Sequence, residues 1–158
     1  MEAIRYELGE AWPIPLRNGL ARVLQNRGNA KSEGGDLAGA ISDYDAAITL
    51  CEAIRDELGE AWSIPLRNDF AALLRNRGNA KLEGGDLAGT ISDYDAAVTV
   101  MEAIRDELGE AWPITLRKRL AYTLENRGNA KTRGGDVAGA ATDHNAAINM
   151  REATRSRL

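Results

Sequence analysis

From Leu37 onward, apolar residues recur at steps of three and four: Ala40, Ile41, Tyr44, Ala47, Ile48, Cys51, Ile54, Leu58, Ala61 and Trp62. That spacing belongs to one face of an α-helix and predicts a single long helix with a continuous buried stripe. Asp36 stands where an N-cap belongs, since its carboxylate can accept from the free N–H groups of the first turn. Gly34-Gly35 just before it is a helix stop. Upstream, Leu16, Leu20, Val23, Leu24 and Ala30 mark the inward face of a shorter helix from Pro15 to Glu33. Pro13 and Pro15 suit its first turn, where no backbone donor is needed.

The same pattern returns twice more with a period of 50 residues. Glu52 to Trp62 recurs unchanged at Glu102 to Trp112, and at Glu2 to Trp12 with only Tyr6 differing. Asn-Arg-Gly-Asn-Ala-Lys begins at Asn26, Asn76 and Asn126, and Gly-Gly-Asp at Gly34, Gly84 and Gly134. Each unit therefore reads as a short helix A, a Gly-Gly-Asp turn and a long helix B. Helices are predicted over 2–12, 15–33, 36–61, 65–83, 86–111, 115–133 and 136–156. The connections are short enough to force antiparallel neighbours. One hairpin cannot bury its stripe alone, so the expectation is an all-α solenoid of stacked antiparallel hairpins. We read residues 1–158 as one repeat domain: a partial helix B over 1–12, then units 13–62, 63–112 and 113–158.

The segment Asn76 to Val98 resembles the tetratricopeptide repeat. A small residue stands where helices A and B would cross, at Gly28, Gly78 and Gly128, with alanine two positions later at Ala30, Ala80 and Ala130. Ala40 and Ala140 match the small residue early in helix B, with Thr90 departing. Tyr44 and Tyr94 match the aromatic that follows, with His144 departing, and Ala47, Ala97 and Ala147 complete the set. The period exceeds that family's ~34 residues, and the resemblance is to a long-helix variant. It implies a right-handed superhelix with helix A lining a concave groove. Arg27, Arg77 and Arg127 replace a large apolar residue of the family pattern. A buried arginine needs a partner, and Asp43, Asp93 and Asp143 stand where helix B could supply it. Each hairpin is therefore expected to hold an Arg–Asp pair.

Composition narrows the function. Net charge is −4, against the basic surface that a general nucleic-acid binder needs. No apolar run approaches the ~20 residues of a membrane span, and Met1 to Arg5 does not open a secretory signal; the expected location is the cytoplasm. The single cysteine, Cys51, allows neither an intrachain disulfide nor a cysteine metal cage, and reads as core. His144, the only histidine, takes the place of a tyrosine and reads as a core filler. No cluster has zinc-ligand spacing, and no nucleophile elbow or phosphate loop is present. The expectation is a chain with no catalytic residue, no metal and no cofactor.

By the resemblance, a protein or peptide partner would lie against helix A. The groove residues would be Arg22, Gln25 and Asn29 in the first unit; Arg75, Asn79 and Leu82 in the second; and Tyr122, Glu125 and Asn129 in the third. Asn29, Asn79 and Asn129 would form a ladder that bonds a partner backbone, or else cap local turns or face water. Lys118, Arg119 and Arg133 make the third unit's wall the most positive, which favours an acidic partner segment. The alternative expectation is self-association through the N-terminal edge, residues 1–33, as a homo-oligomer or as part of a longer array.

Overall fold

The computed structural model describes residues 12–156. Among them are six α-helices in three antiparallel pairs: α1 (Ile14–Glu33) with α2 (Leu37–Leu58), α3 (Ile64–Glu83) with α4 (Leu87–Leu108), and α5 (Ile114–Arg133) with α6 (Val137–Arg155). A 3-10 turn follows α2 at Gly59–Ala61 and α4 at Gly109–Ala111. The protein is thus an all-α helical repeat of three hairpins. The chain divides after Trp62 into two compact units, 1–62 and 63–158, and this division falls on a repeat boundary. The first unit contains α1 and α2; the second contains α3 to α6. The helix expected over 2–12 lies outside the described residues, apart from Trp12.

The Gly-Gly-Asp turn ends one helix and starts the next within three residues. Asp36 N–H donates to Lys31 O at 2.8 Å and Gly35 N–H to Ser32 O at 3.1 Å, which is the Schellman pattern. It requires a positive φ, and Gly35 has φ 88. Asp36 then accepts from Gly39 N–H at 2.9 Å and so caps α2. The same arrangement recurs at Asp86 and Asp136.

Each hairpin closes where a glycine lets an aromatic ring lie on the helix backbone. A Cβ on Gly28 would sit 2.8 Å from Tyr44, one on Gly78 2.8 Å from Tyr94, and one on Gly128 2.6 Å from His144. Thr90, which departs from the alanine at that position, is fully buried and shares its hydroxyl proton between Asp86 O and Gly78 O. The core of the first unit is Leu24, Tyr44, Ile48 and Ile54. In the second unit α5 packs against α4 as well as α6. Phe70, Leu74, Tyr94, Ile104, Leu120 and Leu124 fill that larger interior. Each fully buried residue of this size stabilises the fold by roughly 1.5–3 kcal/mol.

Two expectations are corrected. Helix B stops at Leu58 and Leu108, not at 61 and 111. Gly59 has φ 53 and ψ −122, a conformation open to glycine, and its N–H bonds Arg55 O to end the helix. The stripe therefore breaks: Ala61 is exposed and Trp62 half-buried. In α1, Leu16 and Val23 were expected to face inward, but each is 54% exposed, and Ala30 is exposed as well.

Candidate functional site

The three Arg–Asp pairs are present, and each is bidentate. Arg27 donates through Nε to Asp43 Oδ2 at 2.8 Å and through Nη2 to Oδ1 at 2.7 Å. Arg77 meets Asp93 at 2.9 and 2.7 Å, and Arg127 meets Asp143 at 2.8 and 2.7 Å. The sequence reading had the arginine buried. That holds for Arg77 and Arg127, whose side chains are 19% and 17% exposed, but not for Arg27, which is 55% exposed over an Asp43 that is 5% exposed. A third member was missed. Lys31, Lys81 and Lys131 each place Nζ 3.0–3.1 Å from the same carboxylate. The signal was legible, because lysine follows arginine by four residues in every Asn-Arg-Gly-Asn-Ala-Lys block and so shares its helix face.

These contacts set the electrostatics. The hydrogen bond from Arg27 holds the Asp43 carboxyl below the ordinary carboxylate range, against the opposing pull of burial. Burial pushes Asp143 up, but Arg127 and Lys131 together outweigh it and the carboxyl is also lowered. Arg127 in addition reaches Asp95 on α4 at 3.0 Å, which ties the second hairpin to the third.

The asparagines bind within their own hairpins. Tyr44 OH donates to Asn29 Oδ1 at 2.6 Å, Tyr94 OH donates to Asn79 Oδ1, and His144 Nε2 lies 3.1 Å from Asn129 Oδ1. Each carbonyl oxygen thus meets helix B of its own hairpin, and Asn129 is exposed. Burial, then the neighbouring Tyr122, pushes the Tyr94 phenol up to about 12.

In the second unit, several of the expected groove residues converge. Asn79, Leu82, Tyr94, Tyr122, Asn129 and Arg133 line a hollow of about 310 Å³ between α3 and α5. Tyr122 is 47% exposed, and the Arg75 guanidinium lies over its ring at 5.8 Å. Burial, then repulsion from Arg119, lowers the Arg75 pKa. Glu125 turns away from this hollow and pairs with Arg151 of α6 at 2.5 Å. Arg22 and Gln25 belong to the first unit, where Arg22 is exposed and Gln25 half-buried.

A further set of ion pairs went unread in the sequence. Near the start of helix A, Arg17 Nη2 lies 2.5 Å from Glu57 Oε2, and Arg67 Nη2 lies 2.6 Å from Glu107 Oε2. Arg117 differs. It donates Nε to Trp112 O at 2.9 Å and Nη2 to Glu110 O at 3.2 Å, and it lies over the Trp112 ring at 5.6 Å. The repeat alignment contained the clue, since the position of Glu57 and Glu107 is occupied by Arg157 in the third copy.

Among the described residues, no group of His, Cys, Asp or Glu is placed to hold a metal ion. No described helix is long and apolar enough to cross a membrane. Cys51 is a buried thiol. No family model matches the chain, and no curated protein matches it.

Proposed function

We propose that the protein is a non-catalytic interaction scaffold of the tetratricopeptide kind that holds a protein or peptide segment against its helix-A side. The observation that carries this reading is the hollow between α3 and α5. It joins an exposed aromatic, Tyr122, to an apolar edge, Leu82, and to amide and guanidinium donors at Asn79, Asn129 and Arg133. Glu83 and Asn126 complete a wall that is about half polar, so it offers a peptide hydrogen-bonding groups beside the packing of Tyr122 and Leu82. The family assignment is supported by the crossing glycines against Tyr44 and Tyr94 and by the alanines packed without exposure at Ala40, Ala47 and Ala97.

The test is a peptide-display selection on the immobilised chain, followed by binding to Leu82→Asp and Arg133→Glu, with helix content checked by circular dichroism. Selected peptides are expected to lose affinity by about tenfold or more on each variant, a change of about 1.4 kcal/mol. Equal affinity for wild type and both folded variants would remove the groove from consideration.

A second reading, self-association through the N-terminal edge, is supported by the exposure of Leu16 and Val23 on α1. It requires the mass by light scattering to rise with concentration and to revert in Leu16→Glu/Val23→Glu. A constant monomer mass would end it.

A further inference from the structure

The same arginine opens helix A three times, and twice a glutamate 40 residues later answers it: Arg17 with Glu57 and Arg67 with Glu107. Forty residues after Arg117 stands Arg157. A second carboxylate is lost beside it. Arg55 and Arg105 pair with Asp56 and Asp106 at 3.1 and 3.2 Å, but Arg155 is followed by Ser156. Two cations are gained at the same end of the hairpin. Lys118 replaces Asn18 and Asn68, and Arg151 replaces Cys51 and Met101.

The two gained cations meet in space. Arg117, Lys118, Tyr122, Met150, Arg151 and Arg155 line a cleft of about 470 Å³ between α5 and α6. Arg117 is the built part of it, with only 9% of its surface exposed. Its backbone partners, Trp112 O and Glu110 O, orient the guanidinium without neutralising it. Arg151 is answered by Glu125. Among the described residues, Arg117, Lys118 and Arg155 have no carboxylate within ion-pair distance. A buried guanidinium is costly unless a charge meets it. In the first two hairpins that charge comes from the chain itself.

We propose that in the third hairpin it comes from outside: the α5–α6 cleft is a carboxylate-binding site for an acidic segment of a partner polypeptide. Arg117, Lys118 and Arg155 bind an Asp or Glu side chain, and Tyr122 and Met150 take an apolar neighbour in the same segment. The cleft lies apart from the α3–α5 hollow and shares only Tyr122 with it, so it stands on its own observations. A polypeptide fits better than a nucleic acid because the protein is acidic overall and this positive charge is confined to one pocket.

The probe is a fluorescein-labelled peptide of alternating Leu and Glu, acetylated and amidated, read by fluorescence anisotropy against its Leu-Gln counterpart and a labelled single-stranded DNA of the same length. The full chain is expected to bind the Glu peptide with an affinity that falls as salt rises. The Gln peptide is expected to bind about tenfold more weakly or worse. Lys118→Glu/Arg155→Glu, which leaves buried Arg117 in place, is expected to abolish that preference. Leu82→Asp is expected to bind the probe as wild type does, which separates this cleft from the hollow. The proposal is overturned if Glu and Gln peptides bind alike, or if Lys118→Glu/Arg155→Glu retains the preference. It is also overturned if Leu82→Asp alone removes binding, or if the DNA binds more tightly than the peptide.

Discussion

Helices α1 and α5 carry the same repeat positions yet sit in different surroundings. On α5, Thr123 and Leu120 have no exposure, and the Arg127 side chain is 17% exposed with aspartates on two sides. On α1, Val23 at the position of Thr123 is 54% exposed, and the Arg27 side chain is 55% exposed. The cause lies in the neighbours. Among the described residues, helix α5 packs against its own helix B, α6, and also against α4 of the preceding hairpin in the same unit, whereas α1 packs in its unit against α2. Helix A thus has two faces to cover. Its own hairpin covers one, and in a repeat array the other is the business of the preceding copy.

The largest expected effect tests this at the ion clusters. Arg127→Met/Lys131→Met strands Asp143, whose side chain is 3% exposed, without either cation. It should cost about 3–5 kcal/mol in urea unfolding, the range for a buried charge left alone. Arg27→Met/Lys31→Met should cost less, because the Arg27 side chain already lies largely in water. Equal losses in the two hairpins would show that the difference in arginine exposure has no energetic meaning.

A smaller contrast probes the apolar faces directly. Thr123→Asp puts a carboxylate at a position with no exposure and should cost about 2–4 kcal/mol. Val23→Asp, on the exposed face, should stay within about 0.5 kcal/mol of wild type. If thermal melts place the two variants together, the exposed face of α1 is covered in solution.

The smallest expected effect is a pH dependence shared by both hairpins. Asp43 and Asp143 are held below the ordinary carboxylate pKa of about 3.9. Above that value both folded and unfolded chains are ionised, and the clusters contribute fully. As pH falls through it, the unfolded chain takes up protons that the native one refuses. The contribution is lost as the pH drops to the depressed native values. Melting temperature should therefore hold steady near neutrality and fall below about pH 4. Asp143→Asn should begin lower at neutral pH and lose less on acidification. An unchanged acid slope in that variant would assign the acid sensitivity to other carboxylates.

The sequence alone determined the helices, their pairing and the chemistry of each turn. Spacing of apolar residues follows the helical period, and a Gly-Gly-Asp turn specifies its geometry within a few residues, so both can be read locally. It also supplied the Arg27–Asp43 pair through an arginine in an apolar place. Gly59 was legible too, but the run of apolar residues beyond it masked the stop. Tertiary structure alone decided the Tyr44–Asn29 and Arg17–Glu57 contacts, whose partners are 15 and 40 residues apart. Such pairs depend on where two helices cross and how each is rotated about its axis. The exposure of Leu16 and Val23 was likewise beyond the pattern: periodicity says which residues share a face, and only the neighbouring helix decides whether that face is covered.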